Sequence, residues 1–259
     1  MSSATRLPIS CFIITKNEAD RIVPTIAAIR RIVDEIVVVD SGSDDGTQEL
    51  AREAGARVIF NAWPGFGQQK RFAEEQCRND WLLNLDADEV VPQQLAEEIG
   101  QLFANGSPEH AAYGVDVNIV YPGHQRPRLW ARDHYCLRLY DRRRVRFKDS
   151  TLHDSVEPAG HPVGNLSHAI HHFSFRSMND LIRKCDERAS YSARWSKPKN
   201  KWVLPVRCVT EFPANFVKYY LLRRHVTGGW LGLKCASIFA YYRQVRIWRL
   251  TRIQYGENI

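Results

Sequence analysis

The sequence has no C-x-x-C pair, no apolar run long enough to span a bilayer, no internal repeat and no low-complexity tract. Each absence excludes something. The six cysteines, Cys11, Cys77, Cys136, Cys185, Cys208 and Cys235, are scattered, which argues against a zinc knuckle, a redox pair or a disulfide scaffold and fits a reducing cytoplasm. The first apolar run, Ile9 to Ile14, is too short for a signal-peptide core and is followed by Lys16, Asn17 and Glu18, so no secretion signal is expected. Acid is scarce at one end. Residues 1–200 hold 26 Lys/Arg against 27 Asp/Glu, whereas the last 59 residues hold 10 against 2. The net charge of +7 therefore lies in the C-terminal fifth, a segregation that points to an anionic membrane surface or a nucleic acid. What remains is ordinary: 44% hydrophobic and 25% charged residues in a chain of 259 describe a folded protein, not a disordered or collagenous one.

From residue 9 to about 103, short apolar runs alternate with amphipathic stretches. Ile9–Ile14 reads as a strand, Ile22, Ile26, Ile29 and Val33 as a helical face, and Ile36–Val39 as a strand. Helix at Thr47–Ala54, strand at Arg57–Phe60, helix at Gln68–Cys77, strand at Trp81–Leu85 and a helical face at Leu95, Ile99 and Leu102 follow. Strands lacking polar alternation and separated by helices predict an α/β fold with a parallel sheet covered on both faces, which binds ligands at its strands' carboxyl ends. Alternation at Val115, Val117 and Ile119, then at Cys136, Leu137 and Leu139, adds β elements. Met178 to about Trp195 reads as a helix, and Lys197–Lys201 as a break.

Aromatic and aliphatic residues then mix with cations: Phe212, Phe216, Tyr219, Tyr220, Leu221 and Leu222 among Lys218, Arg223 and Arg224, and Trp230–Tyr242 followed by Arg243, Arg246, Arg249 and Arg252. Lys234 interrupts the apolar run, which falls short of the roughly 20 residues of a spanning helix. An interfacial amphipathic segment is expected, the plainer alternative being helices that merely cover the sheet.

The chemistry concentrates at strand ends. Trp81–Leu85 delivers Asp86, Ala87, Asp88 and Glu89, and residues two apart in extended chain point the same way. Two converging carboxylates repel unless a cation lies between them, and hard oxygen ligands suit Mg²⁺ or Mn²⁺. The first strand closes on Thr15, Lys16, Asn17 and Glu18, and the second on Asp40, Ser41, Gly42, Ser43, Asp44 and Asp45. In a parallel sheet these ends adjoin, so Thr15, Asn17, Asp40, Ser41 and Asp86 are expected to line one crevice. Asp40 can accept from a base N–H, and Thr15 and Asn17 offer the edges that a uracil-like ring requires. Asp45 and Thr47 also suit a helix N-terminus. His168, His171 and His172 invite a metal reading but lie in an extended stretch, where all three do not converge. Arg142, Arg143 and Arg144 suit acceptor phosphates or a solvated turn.

Two other functions compete. Asp86-Ala87-Asp88-Glu89-Val90 also fits the nucleophile strand of a haloacid-dehalogenase-like phosphotransferase. The basic aromatic C-terminus fits a non-catalytic nucleic-acid binder, against which stand three acidic strand ends.

The motifs Cys11–Ala19 (CFIITKNEA), Ile36–Thr47 (IVVVDSGSDDGT), Trp63–Ala73 (WPGFGQQKRFA) and Asp80–Glu89 (DWLLNLDADE) resemble the family 2 glycosyltransferases of the GT-A fold, most of all the lipopolysaccharide core β-1,4-glucosyltransferase group. The similarity runs on through Leu137–Phe147, Leu152–Glu157 and Ala169–Ser177. It implies a Rossmann-like mixed sheet flanked by helices, with a C-terminal amphipathic helical segment. It further implies inverting, metal-dependent transfer of glucose or another hexose from a nucleoside diphosphate sugar, a UDP-sugar above all, to a glycolipid hydroxyl at the cytoplasmic surface of the inner membrane. Thr15, Asn17, Glu18, Asp40, Ser41 and Ser43 would hold the nucleoside, Lys70 would lie by the phosphates, and Asp86 would serve both donor and metal. Asp88 would be the direct ligand of Mn²⁺ or Mg²⁺, and His172 could join it. Asp154, where relatives show Glu, would be the base, with Glu157 as the alternative, and Arg71 stands where relatives show Asn. The expected organisation is a glycosyltransferase domain over 1–200, with a nucleotide-binding half to about 106 and an acceptor half over 107–200, then a basic aromatic membrane-associating segment over 201–259.

Overall fold

The computed structural model describes residues 6–150, 155–196, 200 and 202–255. They fall into two compact units, one formed by the chain up to residue 118 with 134–172, the other by 119–133 with the chain from 173 onward.

In chain order the first unit runs β1 (Leu7–Thr15), α1 (Ile22–Ile29), β2 (Val33–Asp40), α2 (Thr47–Glu53), β3 (Arg57–Phe60), α3 (Phe66–Gln76), β4 (Trp81–Asp86), β5 (Glu89–Val90), α4 (Gln93–Leu102), β6 (Ala112–Ile119), β7 (His134–Asp141), β8 (Arg146–Phe147), β9 (Val156–Glu157), β10 (Val163–Asn165) and β11 (Ile170–His172). The sheet order is β3-β2-β1-β4-β7-β6-β11-β5, with β10 beside β6. Strands β1 to β4 are mutually parallel, as expected, and β7 joins β4 antiparallel. The result is a mixed α/β sheet.

The near-continuous apolar sequence of β1 follows from its place between two cores. Ile9, Cys11 and Ile13 pack with Ile22, Ile26 and Ile29 of α1. Phe12, one position out of phase, packs with Val37, Val39, Leu82, Tyr140 and Phe147 on the other face. Period-two alternation thus distributes apolar side chains to both layers and leaves none for water. The helical face read as extending to Val33 stops at Ile29, because Val33 pairs with Leu7 as the first residue of β2.

The second unit contains α5 (Met178–Trp195), α6 (Val203–Val217), a π turn (Lys218–Leu222), a 3-10 turn (His225–Gly228) and α7 (Gly229–Gln254). Helix α5 matches the expected limits. Helix α7 runs well beyond Tyr242, because its later arginines find partners: Arg249 pairs with Asp186 at 2.8 Å and donates to Ser190 Oγ at 2.7 Å, while Val245, Ile247 and Leu250 are buried. Pro213 lies inside α6, where it must disturb the turn before it. Gln244 of α7 bridges that turn, accepting from the Phe212 N–H at 3.0 Å and donating to the Cys208 carbonyl at 2.8 Å. Among the described residues no helix is long and apolar enough to cross a membrane.

A buried polar chain ties residues 119–133 to the helical turn. Arg128 holds Asp133 through two bonds of 2.7 and 2.8 Å, Asp133 Oδ1 lies 3.3 Å from His225 Nε2, and His225 Nδ1 is 2.6 Å from the Tyr121 hydroxyl. With a carboxylate facing Nε2, the neutral ring keeps its proton there and Nδ1 accepts from Tyr121. Gly232 closes against this turn, since a Cβ there would stand 1.9 Å from the His225 carbonyl oxygen.

Burial alone would raise the Asp133 carboxyl, but the hydrogen bond from His225 and the Arg128 guanidinium hold it well below the usual carboxylate range. Burial lowers His225. Both native values lie below the unfolded ones, so the unfolded chain binds more protons in acid and stability must fall with pH. These two groups are expected to contribute a decline in melting temperature as the pH falls below about 6.5, the ordinary histidine range, and a further one through the ordinary aspartate range near about 3.9. In Asp133→Asn, thermal melts monitored by circular dichroism should show a shallower second decline than the wild type and begin from a lower value at neutral pH, because Arg128 is left buried without its carboxylate.

Candidate functional site

The carboxyl ends of β1, β2 and β4 lie side by side, through the register Thr15↔Asp40 and Ile14↔Asp86. The two loops that leave β1 and β2 are laced together. Asn17 takes a left-handed conformation with φ 58°; its N–H donates to Ser43 Oγ at 2.8 Å and its Oδ1 accepts from the Asp44 N–H at 3.1 Å. The Glu18 N–H donates to Thr47 Oγ1 and the Ala19 N–H to Asp45 Oδ2. Asp45 also accepts from the Thr47 N–H, which supplies the helix-start role expected of it.

Asp40 is fully buried and organises its own loop. Its Oδ1 accepts from the Gly42 and Ser43 N–H groups and from Gln48, and its Oδ2 from the Ser43 hydroxyl. Ser41 accepts from the buried Gln69 at 3.0 Å. Thr15 is buried at the strand end, and its hydroxyl has no hydrogen-bond partner among the described residues. A buried hydroxyl left in this condition is costly, and at the mouth of a parallel sheet it is a position for a ligand polar atom.

The β4 end carries the densest charge. Its strand stops at Asp86, and a turn at Ala87–Asp88 leads into β5. The two aspartates, expected to converge, each face their own cations. Asp86 Oδ1 accepts from Lys70 Nζ at 2.5 Å and Oδ2 from Arg138 at 3.0 Å. Asp88 Oδ2 accepts from Arg21 at 3.1 Å, and Asp88 Oδ1 lies 3.3 Å from His172 Nε2. Arg21 is itself held by Glu18. Antiparallel pairing sets His172 opposite Glu89, which is what brings the imidazole to Asp88. His168 instead pairs with Glu98 at 2.9 Å, and His171, next to His172 in a strand, projects to the opposite face.

Lys70 is fully buried, bonded to Asn84 Oδ1 at 3.0 Å as well as to Asp86. Arg71 donates to the Phe147 carbonyl. Arg138 joins the same cluster, although no motif in the sequence singles it out. It contacts Asn84 Oδ1 at 2.7 Å, Asp86 and Glu89 together. The available signal was an arginine within the apolar strand Cys136–Tyr140, a placement that is unfavourable without buried acidic partners. Arg142 and Arg143 are engaged with backbone carbonyls, Asp80 and Asp141, as a turn requires.

Electrostatics follow from this pairing. Burial opposes ionisation of Asp86, but Lys70 and Arg138 outweigh it and hold the carboxyl far below its usual range. Asp88 is lowered too, burial being outweighed by His172 and Arg21. Burial lowers His172, and the Asp88 carboxylate reverses this into a net rise. Glu89 is pushed up to about 7 by burial, with Arg138 opposing and Asp86 adding to the rise.

A cavity of about 360 Å³ opens beside these groups, lined among others by Asp86, Glu89, His134, Arg138, Ser155 and His172. Asp154 and His153 lie outside the described residues. Glu157 is exposed on β9 and pairs with Lys148 at 2.9 Å. Among the described residues no three His, Cys, Asp or Glu side chains gather as a metal cluster. Asp88 and His172 nevertheless pair a hard oxygen with an imidazole nitrogen, a donor set that Mn²⁺ accepts, and a phosphate-binding divalent ion needs only one or two protein ligands. The residues therefore fit such an ion.

Comparison with known proteins gives consistent matches. A family model described as "Glycosyl transferase family 2" matches residues 10–160. An "Uncharacterized glycosyltransferase" of Rickettsia felis is 38% identical over 252 residues, covering 93% of this chain and 89% of the relative. The "Lipopolysaccharide core biosynthesis glycosyltransferase LpsC" of Rhizobium meliloti is 29% identical over 264 residues, 98% of this chain and 97% of that one. Among solved structures, glucosyl-3-phosphoglycerate synthase from Mycobacterium tuberculosis in complex with Mn²⁺ and UDP-glucose is 26% identical over 43% of each chain, with a TM-score of 0.36.

Replacing Arg138 by Met is expected to leave the buried Glu89, and the half-buried Asp86 beside it, without their shared cation. Urea denaturation should show a loss of about 3–5 kcal/mol, far more than the usual cost of removing an exposed ion pair.

Proposed function

The chain belongs to glycosyl transferase family 2, and we propose that it performs an inverting transfer of a hexose from a UDP-sugar to a hydroxyl of a membrane glycolipid. The observation that carries this reading is the pair Asp88 Oδ1 and His172 Nε2, 3.3 Å apart, with His172 lining the cavity at the strands' carboxyl ends. In this reading Thr15 and Asn17 meet the nucleobase, while Asp40, Ser41 and Ser43 shape the loop around the nucleoside with Glu18. Asp88 and His172 hold Mn²⁺ or Mg²⁺. The bound ion supplies Lewis-acid stabilisation of the diphosphate leaving group. Lys70 and Arg138, fixed on Asp86, direct positive charge toward the phosphates without reorganising during the reaction.

Asp154 is the proposed base, removing the acceptor proton as the hydroxyl attacks the anomeric carbon. Its neighbour in sequence, Ser155, lines the cavity, which supports an acceptor entering there. The identity to a lipopolysaccharide core glycosyltransferase over nearly the whole chain supports a core oligosaccharide as the acceptor. The basic aromatic segment over 201–259 supports action at the cytoplasmic face of the inner membrane, with residues 1–200 as the transferase domain. The phosphotransferase alternative requires a free aspartate nucleophile, whereas both carboxylate oxygens of Asp86 accept from cations.

UDP with Mn²⁺ at about 100 times its dissociation constant is expected to stabilise the protein by roughly 2.7 kcal/mol, read as a rise in melting temperature. Asp88→Ala and His172→Ala should abolish the rise. Asp154→Asn should keep it while lowering turnover by about 10² to 10⁴-fold; if turnover survives, Glu157 takes over as base.

A further inference from the structure

Helix α6 has an unusual distribution of charge. Its charged residues are Arg207 and Glu211, which pair with each other at 2.7 Å, and Glu211 is buried. The exposed face has no charge. Trp202, Val206 and Val209 are 87%, 61% and 76% exposed at the four- and three-residue spacing of one helical face, and Phe212, Val217 and Leu221 are exposed further along the segment. Phe212, Phe216 and Tyr220 stack in sequence, with ring centroids 6.1 and 5.3 Å apart. They adjoin an open groove in which Phe212, Phe216, Trp230, Leu233, Lys234 and Ile238 meet.

Cations border this face. Lys218 and Arg224 are exposed at its C-terminal end, and Lys234 lies over the Trp230 ring at 5.4 Å. From residue 212 to 256 the sequence holds eight Lys/Arg and no Asp or Glu. A second copy of the chain would bring the same positive surface against it. An anionic lipid surface offers both complements at once: acyl chains for the uncharged face and phosphates for its border.

We propose that α6 is a monotopic membrane anchor, embedded in the acyl boundary of an anionic leaflet along Trp202, Val206, Val209, Phe212 and Val217, with Lys218, Arg224 and Lys234 at the phosphates. This deepens the membrane reading given above and rests on it for the kind of surface. It differs from attachment by charge alone. Fifteen residues at about 1.5 Å each reach roughly 23 Å, short of the ~30 Å hydrocarbon core, so the helix lies in one leaflet.

The test is flotation of the full chain with vesicles of phosphatidylethanolamine and phosphatidylglycerol. The wild type should float, and most of it should remain bound at about 1 M salt, where the screening length is ~3 Å. Val206→Asp with Val209→Asp should lower the bound fraction about tenfold or more, given the cost of placing Asp among acyl chains. Lys218→Gln with Arg224→Gln should weaken binding at low salt only. Three results overturn the proposal: a wild type that stays in solution, release of the wild type by salt, or an aspartate variant that floats like the wild type. Equally, a wild-type dimer that the aspartates convert to monomer without changing flotation assigns the face to a second copy. The UDP and Mn²⁺ melting shift, measured on the same variants, should be unchanged, which separates failure of the anchor from failure of the donor site.

Discussion

Three acids at the end of one apolar strand are the constraint around which the first unit is arranged. Asp86, Asp88 and Glu89 lie within four residues of one another, and such a cluster cannot stay ionised in a partly dry place unless cations reach it. The fold delivers them from separate elements: Lys70 from α3, Arg138 from β7, Arg21 from the entrance of α1 and His172 from β11. These cations hold together strands that approach from opposite directions. The antiparallel strand β7 contributes its arginine to the same carboxylate that receives the α3 lysine, so the parallel and antiparallel parts of the sheet meet in one electrostatic cluster. In the proposed reading, it is Asp88 and His172 that take a divalent ion beside the diphosphate.

The parallel half was legible because its physics is local. A strand buried on both faces carries a run of apolar residues, as Cys11–Ile14 of β1, Ile36–Val39 of β2 and Trp81–Leu83 of β4 do, and α1 and α4 carry their buried isoleucines and leucines at helical intervals. Helix α5 was equally clear, with Ser177 capping it through the Asp180 N–H. Strands β5, β8, β9, β10 and β11 are two or three residues long, too short for any period to register. Their pairing depends on partners distant in sequence, and it is β11 that decides where His172 goes. The partners of α7 were hidden for a similar reason. Arg249 looks like a solvated residue in sequence, yet it continues the helix by reaching Asp186 and Ser190 on α5.

The site itself was legible by residue type more than by geometry. Thr15, Asn17, Asp40, Ser41, Asp86 and Asp88 were identifiable because polar residues closing apolar strands in a parallel sheet must adjoin. Their division of labour was not. Asp40 is occupied by its own loop, and Asp86 by Lys70 and Arg138. Lys70 was expected beside phosphates from the family resemblance, and the contact with Asp86 that buries it could not be read from α3 alone. Arg138 required the pairing of β7 with β4 before its partners could be known.

Asn17 and its neighbours carry a further consequence. Because the β1 and β2 loops bond to each other through Ser43, Asp44, Asp45 and Thr47, neither has an independent shape, and substitutions in one alter the energy of the other. If these loops hold the nucleoside as proposed, a change of nucleotide preference is therefore not available one residue at a time. The two loops would have to be transplanted in any redesign as a single cassette, and chimaeras that cut between them carry the left-handed Asn17 turn without the serine that holds it.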